Sequence, residues 1–321
     1  MVITLAPVEV SRTLLLAAPR GFCAGVVRAI ETVRAALQTL QPPVYVLKEI
    51  VHNRRVVDDL ASEGAVFVDT IDCVPDEAVL VFSAHGVAPS VRQEAVRRRL
   101  HVIDATCPLV TKVHLEAIRY SRANYSIVLI GHRNHDEVIG TAGEAPASIH
   151  VVPSIEDVDR LELPDPRRVV YLTQTTLSVD DTTEIVNRLT TRFPDIQAPP
   201  AQDICYATQN RQDAVKAIAP RVDLLLVVGA PNSSNANRLR EVAVRAGTTA
   251  YLISDGTDIQ PEWLRGCRSI GVTAGASTPR VLIDEAVASL RAWGCDLVEE
   301  VEVATEDVNF ALPSVARRGQ P

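Results

Sequence analysis

The chain has 321 residues, 47% hydrophobic and 22% charged, with a net charge of −8, enough for two or three domains with substantial cores. The acidic balance and the lack of a broad basic face argue against general nucleic-acid binding, and no apolar run reaches the ~18 residues of a membrane span. Residues 1–22 lack a basic leader followed by a clean apolar segment, so the expected location is cytoplasmic, where six scattered cysteines without a CxxC pair are not expected to form disulfides.

The first predicted strand, Thr13 to Ala18, runs into PRGFCAGVVRAI, where Cys23 precedes a helix with Val26, Val27, Ile30, Val33 and Leu37 at helical spacing. Unpaired N–H groups and the helix dipole at that position favour a thiolate, the form that ligates metal or attacks. The strand VYVLKEIVHN follows, tipped by His52 and Asn53. A helix-like segment, the short strand AVFVD and a short acidic segment lead to a second buried strand, AVLVFSAHG, tipped by His85 and Gly86. Ala88 to Leu100 reads as helix and HVIDA as strand before TCPLVTKV brings Cys107.

The same order then begins again. A helix over 109–122 precedes YSIVLIG, whose tip GHRNHDE carries His132, His135 and Glu137. After IHVVP and the acidic IEDVDRL comes RVVYLTQTT, tipped by Gln174, Thr175 and Thr176, and then a helix within LSVDDTTEIVNRL. A third pass starts at DICYATQNRQ with Cys205, continues through a helix over 209–218 and the strand DLLLVVG, and presents Asn232, Ser233, Ser234 and Asn235. TAYLIS, IQPEWLRG and RSIGVTAGAST follow, the last tipped by Gly275 and Ser277. Pro279 opens a closing helix, and the tail from Val301 reads as an added strand with a frayed end.

The spacing supports a threefold repeat: 29 residues separate Cys23 from His52, 28 separate Cys107 from His135 and 29 separate Cys205 from Ser234. The expected fold is therefore α/β, with three pseudo-repeated modules over 13–106, 107–204 and 205–298 and a C-terminal strand and tail over 299–321. Near-continuous apolar strands between helices imply mostly parallel sheets covered on both faces. Ligands bind beyond the carboxyl ends of such strands, so the tips and the three cysteines converge if the modules pack about one axis.

Three convergent cysteines suit a [4Fe–4S] cluster with one iron left for an outside ligand; zinc is the alternative, although its usual local CxxC or HxxxH spacing is missing. The compact donors at the tips, with helix N-termini behind them, suit a phosphate, while Ser, Asn and Thr there also serve as plain helix caps. No GxxxxGK[ST] loop or GxGxxG fingerprint is present. His135 and Glu137 beside Thr175 form a plausible proton-donor system. His101 and His132 carry no expected role, and Cys73, Cys267 and Cys295 are expected to be structural.

At PRGFCAGVVRAI, EIVHN, SAHGV, DATCPLV, GHRNHDEV, TQTTLSVDDT, DICYATQNRQ, NSSNANRL, GVTAGAST and DVNFALP the sequence resembles the 4-hydroxy-3-methylbut-2-enyl diphosphate reductase (LytB) family over nearly its whole length. The resemblance implies a trefoil of three α/β modules around a [4Fe–4S] cluster ligated by Cys23, Cys107 and Cys205. It implies that His52, His85, Ser233, Asn235 and Ser277 hold the substrate diphosphate, with Ser234 beside them. By the same resemblance His135, Glu137 and Thr175, with Thr176 adjoining, orient the substrate hydroxyl and relay protons, Glu137 being the key acid.

The implied reaction is reductive removal of the allylic hydroxyl as water, giving isopentenyl and dimethylallyl diphosphates, with electrons from a ferredoxin or flavodoxin-type donor. Two departures from the family pattern stand out: Pro231 where a lysine is common, and Val27 where an acidic residue is common. A non-redox [4Fe–4S] dehydratase and a non-catalytic cluster-binding sensor are the competing classes.

Overall fold

The computed structural model describes residues 12–40 and 42–315. Residues 1–11, on which the reading of a leaderless N-terminus partly rests, and 316–321, part of the expected frayed end, lie outside the described residues. The chain divides into two compact units: Met1–Phe22 with Gln209–Asp307, and Cys23–Thr208 with Val308–Pro321.

The first unit is built on one five-stranded sheet. Strands β1 (Thr13–Ala18), β9 (Leu224–Val228), β10 (Thr249–Ile253), β11 (Ser269–Ala274) and β12 (Leu297–Glu302) lie in the order β10-β9-β11-β1-β12, and every pairing is parallel. Side chains alternate between two buried faces. Leu14, Leu16, Leu226, Val228, Ile270 and Val272 pack on one side with the helix Arg280–Ala292, while Leu15, Ala17, Leu225 and Val227 pack on the other. A strand apolar on both faces needs a central place in a covered sheet.

That requirement moves one expected element. The strand at Thr13–Ala18 opens the chain as foreseen, yet it does not join the sheet of the segment that follows it. It pairs with β11 and β12, Thr13 standing opposite Ser269 on one side and Leu297 on the other.

The second unit holds two parallel sheets. Strands β2 (Val44–Leu47), β3 (Ala65–Val68), β4 (Val79–Phe82) and β5 (His101–Asp104) form one in the order β3-β2-β4-β5; β6 (Ser126–Ile130), β7 (Ile149–Val152) and β8 (Val169–Thr173) form the other in the order β7-β6-β8. Their helices include α1 (Ala24–Thr39), α2 (Arg54–Ser62), α3 (Pro89–Arg97), α4 (Pro108–Arg122), α5 (Asp136–Glu144), α6 (Ile155–Arg160) and α7 (Val179–Arg192). The α/β class with parallel sheets is as the sequence implied. Among the described residues no helix is long and apolar enough to cross a membrane.

Candidate active site

The three cysteines singled out by the repeat stand at helix starts in the second unit. Cys23 is the N-cap residue of α1 and Cys107 that of α4; Cys205 directly precedes the helix α8 (Tyr206–Ile218). Strand tips hold two of them from behind, Cys107 donating its N–H to the Ala84 carbonyl and Cys205 its N–H to the Thr175 carbonyl, both at 3.0 Å. Gly25 shows how close two of the sulfurs come. A Cβ built on it would lie 2.7 Å from Cys107 Sγ and 3.8 Å from Cys23 Sγ, so one methyl-sized gap separates the helix backbone from both.

The electrostatics of these thiols call for a cation. Burial, with the neighbouring Cys23 and Cys205 adding to it, pushes the Cys107 thiol up to about 12 against N–H groups of Leu109 and Val110 that pull it down. Burial likewise lifts Cys205 to about 11, with Cys23 adding to the effect and Thr208 opposing it; the Thr208 N–H and hydroxyl both lie 3.3 Å from Cys205 Sγ. All six cysteines are free. Half-buried, mutually repelling thiols with amide donors aimed at sulfur become stable thiolates when metal charge offsets the repulsion, and an all-sulfur donor set suits iron–sulfur chemistry.

Beside them lies a buried acid. Glu137, in the first turn of α5, is 3% exposed. Its carboxylate accepts the Thr175 N–H at 2.6 Å and the Thr175 hydroxyl at 3.0 Å. Burial raises it to about 7 despite both of those bonds, with Asp203 adding slightly, which holds a proton available near neutral pH. His135, the N-cap residue of α5, accepts the Glu137 N–H at Nδ1 at 3.2 Å, so the neutral ring carries its proton on Nε2.

Three imidazoles from three strand tips meet in the same unit. His52 and His85 stack with centroids 4.1 Å apart, and His135 stands edge-on to them at 5.4 and 5.7 Å. His52 Nδ1 contacts Glu49 Oε2 at 2.9 Å. Burial, then repulsion from His52, lowers His135 to about 4 and His85 well below its ordinary 6.5, so both are neutral at pH 7. The turn at Gly86 has φ +78°, and a side chain there would press within 3.2 Å of His114 and Thr106.

Ser233, Ser234, Asn235 and Ser277 belong to the first unit. Ser233 is the N-cap residue of α9 (Ser234–Arg245), its hydroxyl accepting the Ala236 N–H at 3.4 Å. Asn235 Oδ1 accepts the Ala276 N–H at 2.9 Å, which ties the start of α9 to the loop carrying Ser277. Ser233, Asn235 and Ser277 are all buried. The Pro231 carbonyl accepts Asn237 Nδ2 at 2.8 Å, and Val27, the other departure, is 45% exposed on α1.

Several residues that position the site had no role assigned from sequence. Asp203, two residues before Cys205, accepts the Thr173 N–H at 2.9 Å and Lys112 Nζ at 3.0 Å, pinning the segment that delivers the cysteine. Gln174 bridges the Thr176 hydroxyl and the His132 N–H. Arg211, fully buried in the first unit, donates to the Gly21 and Phe22 carbonyls and pairs with Glu306, fixing the turn just before Cys23. Asp203 had a faint signal, an acid next to a metal-type cysteine, and Gln174 stood at a predicted strand tip without a role; Arg211 had no signal. Cys295 sits in the first unit's core with Cys267 packed against it, whereas Cys73 is exposed.

The profile of the LytB protein family matches residues 14–291. The 4-hydroxy-3-methylbut-2-enyl diphosphate reductase of Mycobacterium ulcerans is 56% identical over 315 residues, covering 98% of this chain and 95% of that protein. That of Pseudomonas aeruginosa is 54% identical over 306 residues, 94% and 98% of the respective chains. Among solved structures, the E-1-hydroxy-2-methyl-but-2-enyl-4-diphosphate reductase from Plasmodium falciparum aligns with a TM-score of 0.92 at 42% identity, over 94% of this chain and 96% of that one. A second, (E)-4-hydroxy-3-methyl-but-2-enyl diphosphate reductase, the terminal enzyme of the non-mevalonate pathway, aligns with a TM-score of 0.62 at 32% identity over 88% and 99%.

Proposed function

The chain belongs to the LytB family, and from that premise we propose that it is a 4-hydroxy-3-methylbut-2-enyl diphosphate reductase, the last step of the non-mevalonate route to isoprenoids. The observation that carries the proposal is the meeting of half-buried thiols at helix N-termini with a buried carboxyl lifted to about 7 in the same unit. Cys23, Cys107 and Cys205 suit a [4Fe–4S] cluster by donor type and number, and are the residues that would hold it. When bound, the cluster supplies the electrons.

The overall change is ROH + 2 e⁻ + 2 H⁺ → RH + H₂O. The allylic C–O bond breaks, the oxygen leaves as water with one added proton, and the second proton ends on carbon, giving isopentenyl or dimethylallyl diphosphate. Glu137 is the donor to the departing oxygen, since near neutral pH it still carries a proton. Thr175 fixes the carboxyl in two places, and His135 holds its Nε2 proton ready as a hydrogen-bond donor. His52 and His85 are assigned to the diphosphate, as are Ser233, Ser234, Asn235 and Ser277 through their motifs, with Thr176 adjoining Thr175. Glu49 holds the His52 ring in orientation through its Nδ1 at 2.9 Å.

Electrons come from a ferredoxin or flavodoxin-type donor, and the protein works in the cytoplasm. We also read three modules breaking before Cys107 and Cys205, with Thr13–Ala18 lent to the sheet of the third. The test is anaerobic turnover of the substrate with and without dithionite. Product formed only with reductant is expected; product formed without it overturns the reductase in favour of a non-redox dehydratase.

A further inference from the structure

Within the histidine group lies an arrangement that diphosphate binding does not require. His52, His85 and Asp136 each offer one ligand atom, and these atoms all fall within 4.8 Å of one another. We propose that these three side chains form an inhibitory site for a divalent transition-metal ion of the zinc class.

Two imidazoles and one carboxylate are a donor set found at zinc centres that keep a fourth position open, and the nitrogen donors disfavour magnesium and calcium. Glu49 supports the set from outside. Its carboxylate on His52 Nδ1 fixes the tautomer whose Nε2 bears the lone pair, and carboxylate–histidine pairs of this kind support metal ligands elsewhere. The stacked rings of His52 and His85 keep the two donors side by side. The His52 side chain is 14% exposed and that of Asp136 20%, so an ion reaches them from solvent. Asp136 is paired with Lys48, whose single charge a divalent ion would replace. A nitrogen bound to metal cannot also donate to a phosphate oxygen, so the ion competes with substrate. This consequence rests on the diphosphate role proposed above; the metal site itself does not.

The test is X-ray absorption at the zinc edge on cluster-loaded, anaerobic protein given one equivalent of Zn²⁺. A nitrogen and oxygen shell at about 2.0–2.1 Å is expected, with no sulfur at about 2.3 Å. In equilibrium dialysis Asp136→Asn is expected to weaken zinc binding at least about tenfold with its iron content unchanged. A sulfur shell, which would put the zinc on Cys23, Cys107 or Cys205, overturns the proposal, and so does unaltered affinity in Asp136→Asn. Zinc that raises KM at constant kcat supports inhibition at the substrate site. Zinc held by nitrogen and oxygen without any effect on KM overturns the inhibition and leaves the metal site standing.

Discussion

Thr175 meets Glu137 twice, through its N–H at 2.6 Å and its hydroxyl at 3.0 Å, and yet the carboxyl is lifted to about 7. Two hydrogen bonds to a carboxylate ordinarily lower its pKa, so burial outweighs them both. The result is an acid that is fixed in place and still protonated near neutral pH.

Replacing that acid separates proton delivery from binding. Glu137→Gln keeps the shape and a hydrogen-bonding end, so iron content and substrate affinity should stay near wild type. Turnover is expected to fall by about 10²–10⁴, the usual contribution of a positioned proton donor. Steady-state rates beside iron assays check this, and a near-normal rate would remove Glu137 from the role.

The pH dependence follows with a definite sign. The donor form exists below about pH 7, so the rate should decline as pH rises through that value. Thr175→Val removes a bond that favours the ionised form and should move the decline to higher pH. Because the folded-state pKa lies above the ordinary 4.5, stability contributed by this group is present at low pH and lost as pH rises through about 7. Glu137→Gln should abolish that part of the slope in denaturant titrations.

Gly25→Ala offers a test that ordinary helix energetics would get backwards. Within a helix the change normally stabilises by about 0.5–1 kcal/mol. Here the new methyl would stand 2.7 Å from Cys107 Sγ, so the expected outcome is a folded protein that retains little iron, read by circular dichroism and metal analysis together.

Arg211 and Glu306 should matter far more than surface pairs. Glu306→Ala takes from a guanidinium that is 1% exposed the carboxylate it pairs with, a loss on the order of 3 kcal/mol. The exposed pair of Arg97 and Glu94 serves as control, and Glu94→Ala should leave the denaturation midpoint unchanged.

Much of this was legible in the chain itself because the signals were local. Apolar runs such as Leu224–Val228 are buried at every position, and the cysteines fall at strand-to-helix turns where spacing alone locates them. Which sheet receives Thr13–Ala18 was not legible, since its pairing with Ser269–Val272 spans most of the chain and any covered parallel sheet would accept its side chains. Glu49, Asp203 and Arg211 escaped notice for a related reason. A charged residue reads as solvated surface until folding buries it against a partner, as Asp203 is buried against Lys112.

The central claim is that Cys23, Cys107 and Cys205 together hold an iron–sulfur cluster, and counting iron and acid-labile sulfide in anaerobically prepared protein tests it most directly. About four of each per chain is the predicted result, falling sharply when any one of the three becomes serine. Iron without sulfide, or a full complement retained in a Cys107→Ser variant, would contradict it.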